Sequence, residues 1–289
     1  MSTSDSRAFT RSVALLESLS VCSACYGLGG LVLLSMLLDL PLSTWSMVAA
    51  FSMAWFVYLL HRFRMAHRHS VESAARFRPL RDHARLVGLV LWVVGLLAVC
   101  AALMTSLWLP LLLLASVAGM LVYGWGADGG RPRDMLVVKN ACVGVSMTCF
   151  WVLLVIASGT ASFEPSTSFW LVVIAMSVIV LADAMYCDLV DIDLDARTLS
   201  RTAPVQWGAT STRWTADVLV VFASMLLVLS GTTSGERSTI WFVIPLLLLG
   251  SQGVLRLVRT RWIRTVVDCR LLLLAASGAA CSMWLSSMT

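Results

Sequence analysis

The sequence predicts an all-α bundle of nine transmembrane helices forming one domain over residues 1–289. Two observations carry this reading. Of the 289 residues, 59% are apolar and 13% are charged, against about 25% charged in an ordinary globular chain. A water-exposed surface cannot be covered by so few polar groups, so lipid solvates most of the chain. The apolar residues also fall into stretches near the ~20 residues that a helix needs to cross hydrocarbon with its own backbone satisfied. They run over 18–38, 42–60, 86–106, 107–125, 135–157, 168–187, 215–231, 239–257 and 270–287. The third and fourth are separated only at Leu109-Pro110, so the turn between them follows from length.

The cationic residues test the count. With the N-terminus inside, inner segments hold Arg7 and Arg11, then Arg62, Arg64, Arg68, Arg76, Arg78, Arg81 and Arg85, then Arg131, Arg133 and Lys139. They also hold Arg197, Arg201 and Arg213, then Arg256, Arg259, Arg261, Arg264 and Arg270. That is 20 of 21, with Arg237 alone in an outer loop. Such asymmetry predicts an odd helix number, a cytoplasmic N-terminus and an outer C-terminus, in an inner (plasma) membrane. It also accounts for the net charge of +5 without a nucleic-acid partner. The first stretch is longer than the 7–15 apolar residues of a signal peptide and is expected to be retained. The eight cysteines lie in apolar stretches, including the lone Cys22-x-x-Cys25, and read as small packing residues.

Chemistry concentrates at the expected inner end of the sixth stretch, in Asp183-Ala-Met-Tyr-Cys-Asp188-Leu-Val-Asp191-Ile-Asp193-Leu-Asp195. At ~100° per residue on one continuous helix, Asp188, Asp191 and Asp195 lie at about 0°, 300° and 340°, within an arc of about 60°, and Asp193 lies about 140° from Asp188. Three carboxylates on one stripe require a cation. Mg²⁺, which commonly bridges a few carboxylates to substrate phosphates, suits the donor set. The alternative is a solvated helix end whose acids pair with Arg197 and Arg201.

These residues resemble the UbiA-type intramembrane aromatic prenyltransferases, a family that includes enzymes of chlorophyll and menaquinone synthesis and some terpene cyclases. The family's second aspartate-rich motif, D-x-x-D-x-x-x-D followed by R-T-x-P-V and a glycine, stands here as Asp188, Asp191 and Asp195, then Arg201-Thr202-Ala203-Pro204-Val205 and Gly208. Asp183 stands where the family often has Asn. The segment from Tyr123 through Arg131-Pro132-Arg133-Asp134 to Lys139-Asn140 resembles the inner loop whose Lys helps hold diphosphate. The resemblance implies a cavity open to the inner leaflet and transfer of an isoprenyl group from an isoprenyl diphosphate to a lipophilic or aromatic acceptor. In that reading Asp188, Asp191 and Asp195 are the catalytic metal ligands for Mg²⁺, and Lys139 and Arg201 contact diphosphate.

The first motif departs. Counting from Tyr58, the places of its Asn or Asp residues are held by His61, Met65 and His69, which offer Mg²⁺ no carboxylate. Arg62, Arg64 and Arg68 follow in their place. Guanidinium forks match phosphate oxygens, so Arg62 and Arg68 are candidate diphosphate ligands, with His61 or His69 as acid or base. Positive-inside bias explains the same arginines without a ligand. The rival functions are a non-catalytic isoprenoid-binding or scaffold protein and a terpene cyclase on the same fold. Trp45, Trp108, Trp170 and Trp241 near helix ends predict interfacial belts, and Gly29-Gly30 and Gly124/Gly126 predict close helix contact or turns.

Overall fold

The structure is a computed structural model that describes residues 18–67, 77–126, 130–158, 165–233 and 239–286. Arg68 and His69, together with Arg7, Arg11, Arg76 and Arg237, lie outside the described residues. Among the described residues there are eleven α-helices: α1 (Val21–Leu37), α2 (Thr44–Ala66), α3 (Arg78–Asp82), α4 (Ala84–Thr105), α5 (Leu109–Tyr123), α6 (Leu136–Ala157), α7 (Thr167–Asp188), α8 (Ile192–Arg197), α9 (Ala203–Thr233), α10 (Ile240–Leu257) and α11 (Ile263–Ser286). Every predicted stretch carries a helix, and α3 and α8 are short connectors. Six are long and apolar enough to cross a membrane: α2, α4, α6 from Val138, α7, α9 and α10. The helices α1 and α5 are apolar but shorter. The chain is thus an all-α integral membrane protein, with six candidate spans by this measure against the nine predicted.

Its surface inverts that of a soluble protein. Trp92, Leu107 and Leu246 are exposed, whereas Arg131, Asp134, Asp183 and Arg270 are buried. Buried charge is retained only where it is paired, and exposed apolar surface on this scale needs lipid. The α2 and α6 helices run in opposite directions, as do α7 and α9. Ser46 near the start of α2 meets Ser158 just past the end of α6 at 2.7 Å, and Ser168 near the start of α7 meets Ser230 near the end of α9 at 2.5 Å. One end of the bundle therefore collects nearly all the charge. Asp39 is the only charged residue at the opposite end among the described residues.

Close approaches at glycine set the packing that positions this charged end. A Cβ at Gly29 would lie 2.2 Å from the Leu272 nitrogen, and one at Gly30 would lie 2.0 Å from Trp151. Both side chains would collide, so α1 is wedged between α11 and α6. Trp151 also donates from Nε1 to the Gly27 carbonyl oxygen at 2.8 Å. Gly144 does the same for α6 against α7, where a Cβ would lie 2.8 Å from the Ser177 carbonyl oxygen. Trp241, expected in an interfacial belt, is instead buried. Its ring fills the space left by Gly231, where a Cβ would lie 2.4 Å from Cγ. Trp45, Trp108 and Trp170 are exposed.

Candidate substrate and cation site

The acidic motif is not one helix. The α7 helix stops at Asp188, a turn follows through Leu189 and Val190, and Asp191 takes the N-cap position of the new helix α8 without a side-chain capping bond. The projection onto one continuous helix, which put three carboxylates in one arc, is corrected by this break. The acids separate two and one. Asp188 Oδ1 accepts from Lys139 Nζ at 2.6 Å and Asp195 Oδ2 accepts from the same ammonium at 3.2 Å. Asp191 turns to α11, where Arg264 Nη2 donates to its Oδ2 at 2.7 Å. Asp193 is exposed, outside the pair that meets Lys139, but it is the break and not the projected angle that puts it there. The acids are neutralised by Lys139 and Arg264 and not by Arg197 or Arg201, both of which are exposed.

The Lys139 cluster lies where the α6 to α7 approach brings the first turn of α6 beside the end of α7. Asp188 and Asp195 are 4% and 5% exposed, and Asp188 Oδ2 has no hydrogen-bond partner. An orphaned buried carboxylate oxygen is costly in a native structure and calls for a ligand or an ion. Burial raises the Asp195 carboxyl above the ordinary carboxylate range despite the opposing pull of Lys139.

The loop that leads to Lys139 is strapped to the loop behind Asp195 by one side chain. Asp134 Oδ2 accepts from Arg131 Nε at 2.8 Å, and its Oδ1 accepts from Arg131 Nη2 at 3.1 Å and from Ser200 Oγ at 2.7 Å. The Arg201 backbone N–H donates to the Asp134 carbonyl oxygen at 2.7 Å. Burial works against Asp134's ionisation, but its hydrogen bonds from Arg131 and Ser200 outweigh it and hold the carboxyl below the usual range. The strap fixes Arg201 at the edge of the cluster with its side chain exposed. Gly208, last member of the motif, adopts φ 80° and ψ 159° inside α9, and a Cβ there would meet nothing within 4 Å. What requires glycine is therefore the backbone conformation that redirects the chain after Pro204.

Deeper in the bundle Asp183 is completely satisfied. Arg270 Nη1 donates to its Oδ1 at 2.6 Å and Tyr26 OH donates to its Oδ2 at 3.0 Å. Arg270 also donates to Ser251 Oγ and the Leu248 carbonyl oxygen, so this network ties α1, α7, α10 and α11 together. Asp217 forms another. Its Oδ1 accepts from Tyr186 OH at 2.9 Å and from Gln252 Nε2 at 2.6 Å, its Oδ2 pairs with Arg256, and the Arg256 guanidinium stacks 4.5 Å over Trp214. Sequence reading counted Arg256, Arg264 and Arg270 only as inward charges and missed Asp217 altogether.

At the place of the first motif, His61 and Arg62 are half-buried. Met65 is 5% exposed and packs with Leu59, Phe77, Leu80 and Val87. That packing joins the end of α2 to α3 and α4 through an apolar contact.

The donor set of Asp188 and Asp195 fits Mg²⁺. That ion takes oxygen ligands and usually keeps several waters, needing only one or two carboxylates beside substrate phosphates. The orphaned Asp188 Oδ2 is free to ligate. Among the described residues no group of three or more His, Cys, Asp or Glu side chains could hold an ion, so a cage made wholly of protein is not formed.

A polytopic helical membrane fold with a buried acid and lysine cluster at one end defines the class. Solved structures place that fold. A UbiA homologue from Aeropyrum pernix K1 superposes with a TM-score of 0.65 at 14% identity, covering 91% of this chain and 98% of that one. A UbiA homologue from Archaeoglobus fulgidus bound to DMAPP and Mg²⁺ gives 0.63 at 13% identity, covering 92% and 97%. A digeranylgeranylglyceryl phosphate synthase gives 0.53 at 12% identity, covering 92% and 97%. The chain has the UbiA-type fold over nearly its whole length. No family profile and no curated protein matches its sequence.

Proposed function

We propose that the protein is an intramembrane prenyltransferase that moves an isoprenyl group from an isoprenyl diphosphate to a lipophilic or aromatic acceptor. The observation that carries this reading is the convergence of Asp188 and Asp195 on Lys139, with one carboxylate oxygen left over. It lies at the charged end of a fold whose solved examples include one bound to GPP and Mg²⁺. In the proposed reaction the allylic C1–O bond breaks and its electron pair leaves with diphosphate. The acceptor then bonds to C1 and gives its proton to solvent.

Asp188 and Asp195 would hold Mg²⁺, which when bound offsets the charge gathering on the leaving diphosphate. Lys139, Arg201 and, from the end of α2, Arg62 would meet the remaining phosphate oxygens, with Arg68, outside the described residues, as the further candidate read from the sequence. Asp191 holds Arg264 beside them. The apolar interior takes the isoprenyl tail and keeps water from the allylic cation. Nine crossings with a cytoplasmic N-terminus would put this site on the inner face of the plasma membrane.

The test is incubation of membranes containing the protein with labelled isoprenyl diphosphates of several lengths, with and without Mg²⁺, followed by product extraction. A Mg²⁺-dependent prenylated product absent from the Asp188→Asn variant is expected. Binding without any turnover across donors and acceptors would instead favour an isoprenoid-binding or scaffold protein. The apolar burial of Met65, at a place where the family carries a carboxylate, supports that second reading.

A further inference from the structure

We infer that Lys139 is a built-in counter-cation that bars divalent ions from Asp188 and Asp195 until an anion draws its ammonium away. The inference rests on the diphosphate reading for the identity of that anion, but the lock itself is argued from this chain's own geometry. The ammonium lies 2.6 Å from Asp188 Oδ1 and 3.2 Å from Asp195 Oδ2. It therefore lies between the two carboxylates that would hold the ion. Both acids are at least nine-tenths buried. A hydrated Mg²⁺ entering beside this ammonium would bring two further positive charges into a confined site and would have to shed water that it releases reluctantly.

A diphosphate changes both sides of this balance. Lys139 is a flexible four-carbon stem with a point charge at its tip, so it can turn to a phosphate oxygen without moving α6. Its departure leaves Asp188 and Asp195 as two adjacent buried carboxylates that need a cation, with Asp188 Oδ2 already lacking a partner. Metal and diphosphate then favour one another's binding, and linkage makes the effect reciprocal. The Lys139 position explains why carboxylates can persist in a site that has lost the family's other acidic motif: the ligand-free protein needs no metal to neutralise them.

Thermal unfolding of the full chain in detergent, in MgCl₂ and in EDTA, tests the lock. The unmodified protein is expected to unfold at the same temperature in both. Lys139→Met should gain a midpoint rise of roughly 5 °C from Mg²⁺ at a hundredfold excess over its dissociation constant, and Lys139→Met/Asp188→Asn should lose that gain. A saturable Mg²⁺ rise in the unmodified protein that Asp188→Asn removes would overturn the inference. So would a Lys139→Met variant that folds and ignores Mg²⁺. Electron paramagnetic resonance of Mn²⁺ supplies an arm that needs no Lys139 variant. No ion bound at the Asp188 site of the unmodified chain is expected from Mn²⁺ alone, and an ion bound there without any anion would overturn the lock. Adding inorganic pyrophosphate to the same sample reads the function separately. Mn²⁺ uptake on its addition supports both ideas, whereas no uptake counts against the diphosphate reading and leaves the Lys139→Met result to decide the lock.

Discussion

Asp183 and Asp188 stand five residues apart near the end of the same helix, are buried to nearly the same degree, and each faces a cation at 2.6 Å. They differ in what is left over. Both oxygens of Asp183 are bonded, one to Arg270 and one to Tyr26, and Arg270 spends further donors on Ser251 and Leu248. Asp188 shares its cation with Asp195 and keeps one oxygen with no partner. A buried ion pair with every hydrogen bond made fastens helices together. One left incomplete is poised to take a ligand, and that difference separates framework from site more sharply than burial or charge does.

The largest effect should come from breaking the complete pair. Arg270→Met leaves Asp183 as an uncompensated buried charge, and stability should fall by about 3–5 kcal/mol. Arg270→Met/Asp183→Leu should recover most of the loss, because removing both partners leaves no orphan. Thermal unfolding in detergent reads both variants. Equal losses in the single and double variants would erase the assignment of Asp183 to the framework.

Asp188→Asn should have the opposite profile. Lys139 keeps Asp195, so the stability loss should stay within about 1.5–3 kcal/mol, the range for a hydrogen bond to a charged group. Diphosphate binding in the presence of Mg²⁺, measured by calorimetry, should weaken at least tenfold. A stability loss as large as that of Arg270→Met with binding unchanged would make the two acids alike and remove the comparison.

The strap at Asp134 sharpens it from the side. Asp134→Asn should weaken the joint between the 131–134 and 198–201 segments and cost about 1–3 kcal/mol. Because the native carboxyl is held below its ordinary range, its contribution is fully present above the unfolded-state pKa near 4. It should disappear only as pH falls through the lower folded value. Acid titration of the unfolding midpoint of the native protein against Asp134→Asn should therefore converge only below about pH 4.

How much of this was legible follows from which interactions are local. The helices read directly, because an apolar run near the membrane thickness leaves the backbone few other states. The motif read as a resemblance, through Asp188, Asp191, Asp195 and the Arg201 to Gly208 segment. Its geometry did not, because the turn at Leu189-Val190 has no glycine or proline to announce it. The partners were out of reach for another reason. Arg264 is 73 residues from Asp191 and Arg270 is 87 from Asp183, so only helix packing says which arginine meets which acid. Asp217 offered no signal beyond being one acid in an apolar helix, and its network with Gln252 and Arg256 emerges only when α9 and α10 lie side by side.

The smallest effects are expected where that break in the helix sorts the remaining acids. Asp191 is paired with Arg264, which is 11% exposed, whereas Asp193, two residues on, is exposed. Asp191→Asn should release Arg264 from its fixed position, cost about 1 kcal/mol as a partly exposed pair, and weaken diphosphate binding by several-fold. Asp193→Asn should leave stability within about 0.5 kcal/mol, the usual bound for a change at an exposed surface position. Its diphosphate affinity should match that of the unmodified protein. The two substitutions remove the same charge from the start of the same short helix, so a general effect of lowering negative charge would move both equally. An Asp193→Asn variant that lost binding as much as Asp191→Asn would show that the charged end acts as an undivided solvated surface, and the distinction between complete and incomplete pairs would no longer locate the site.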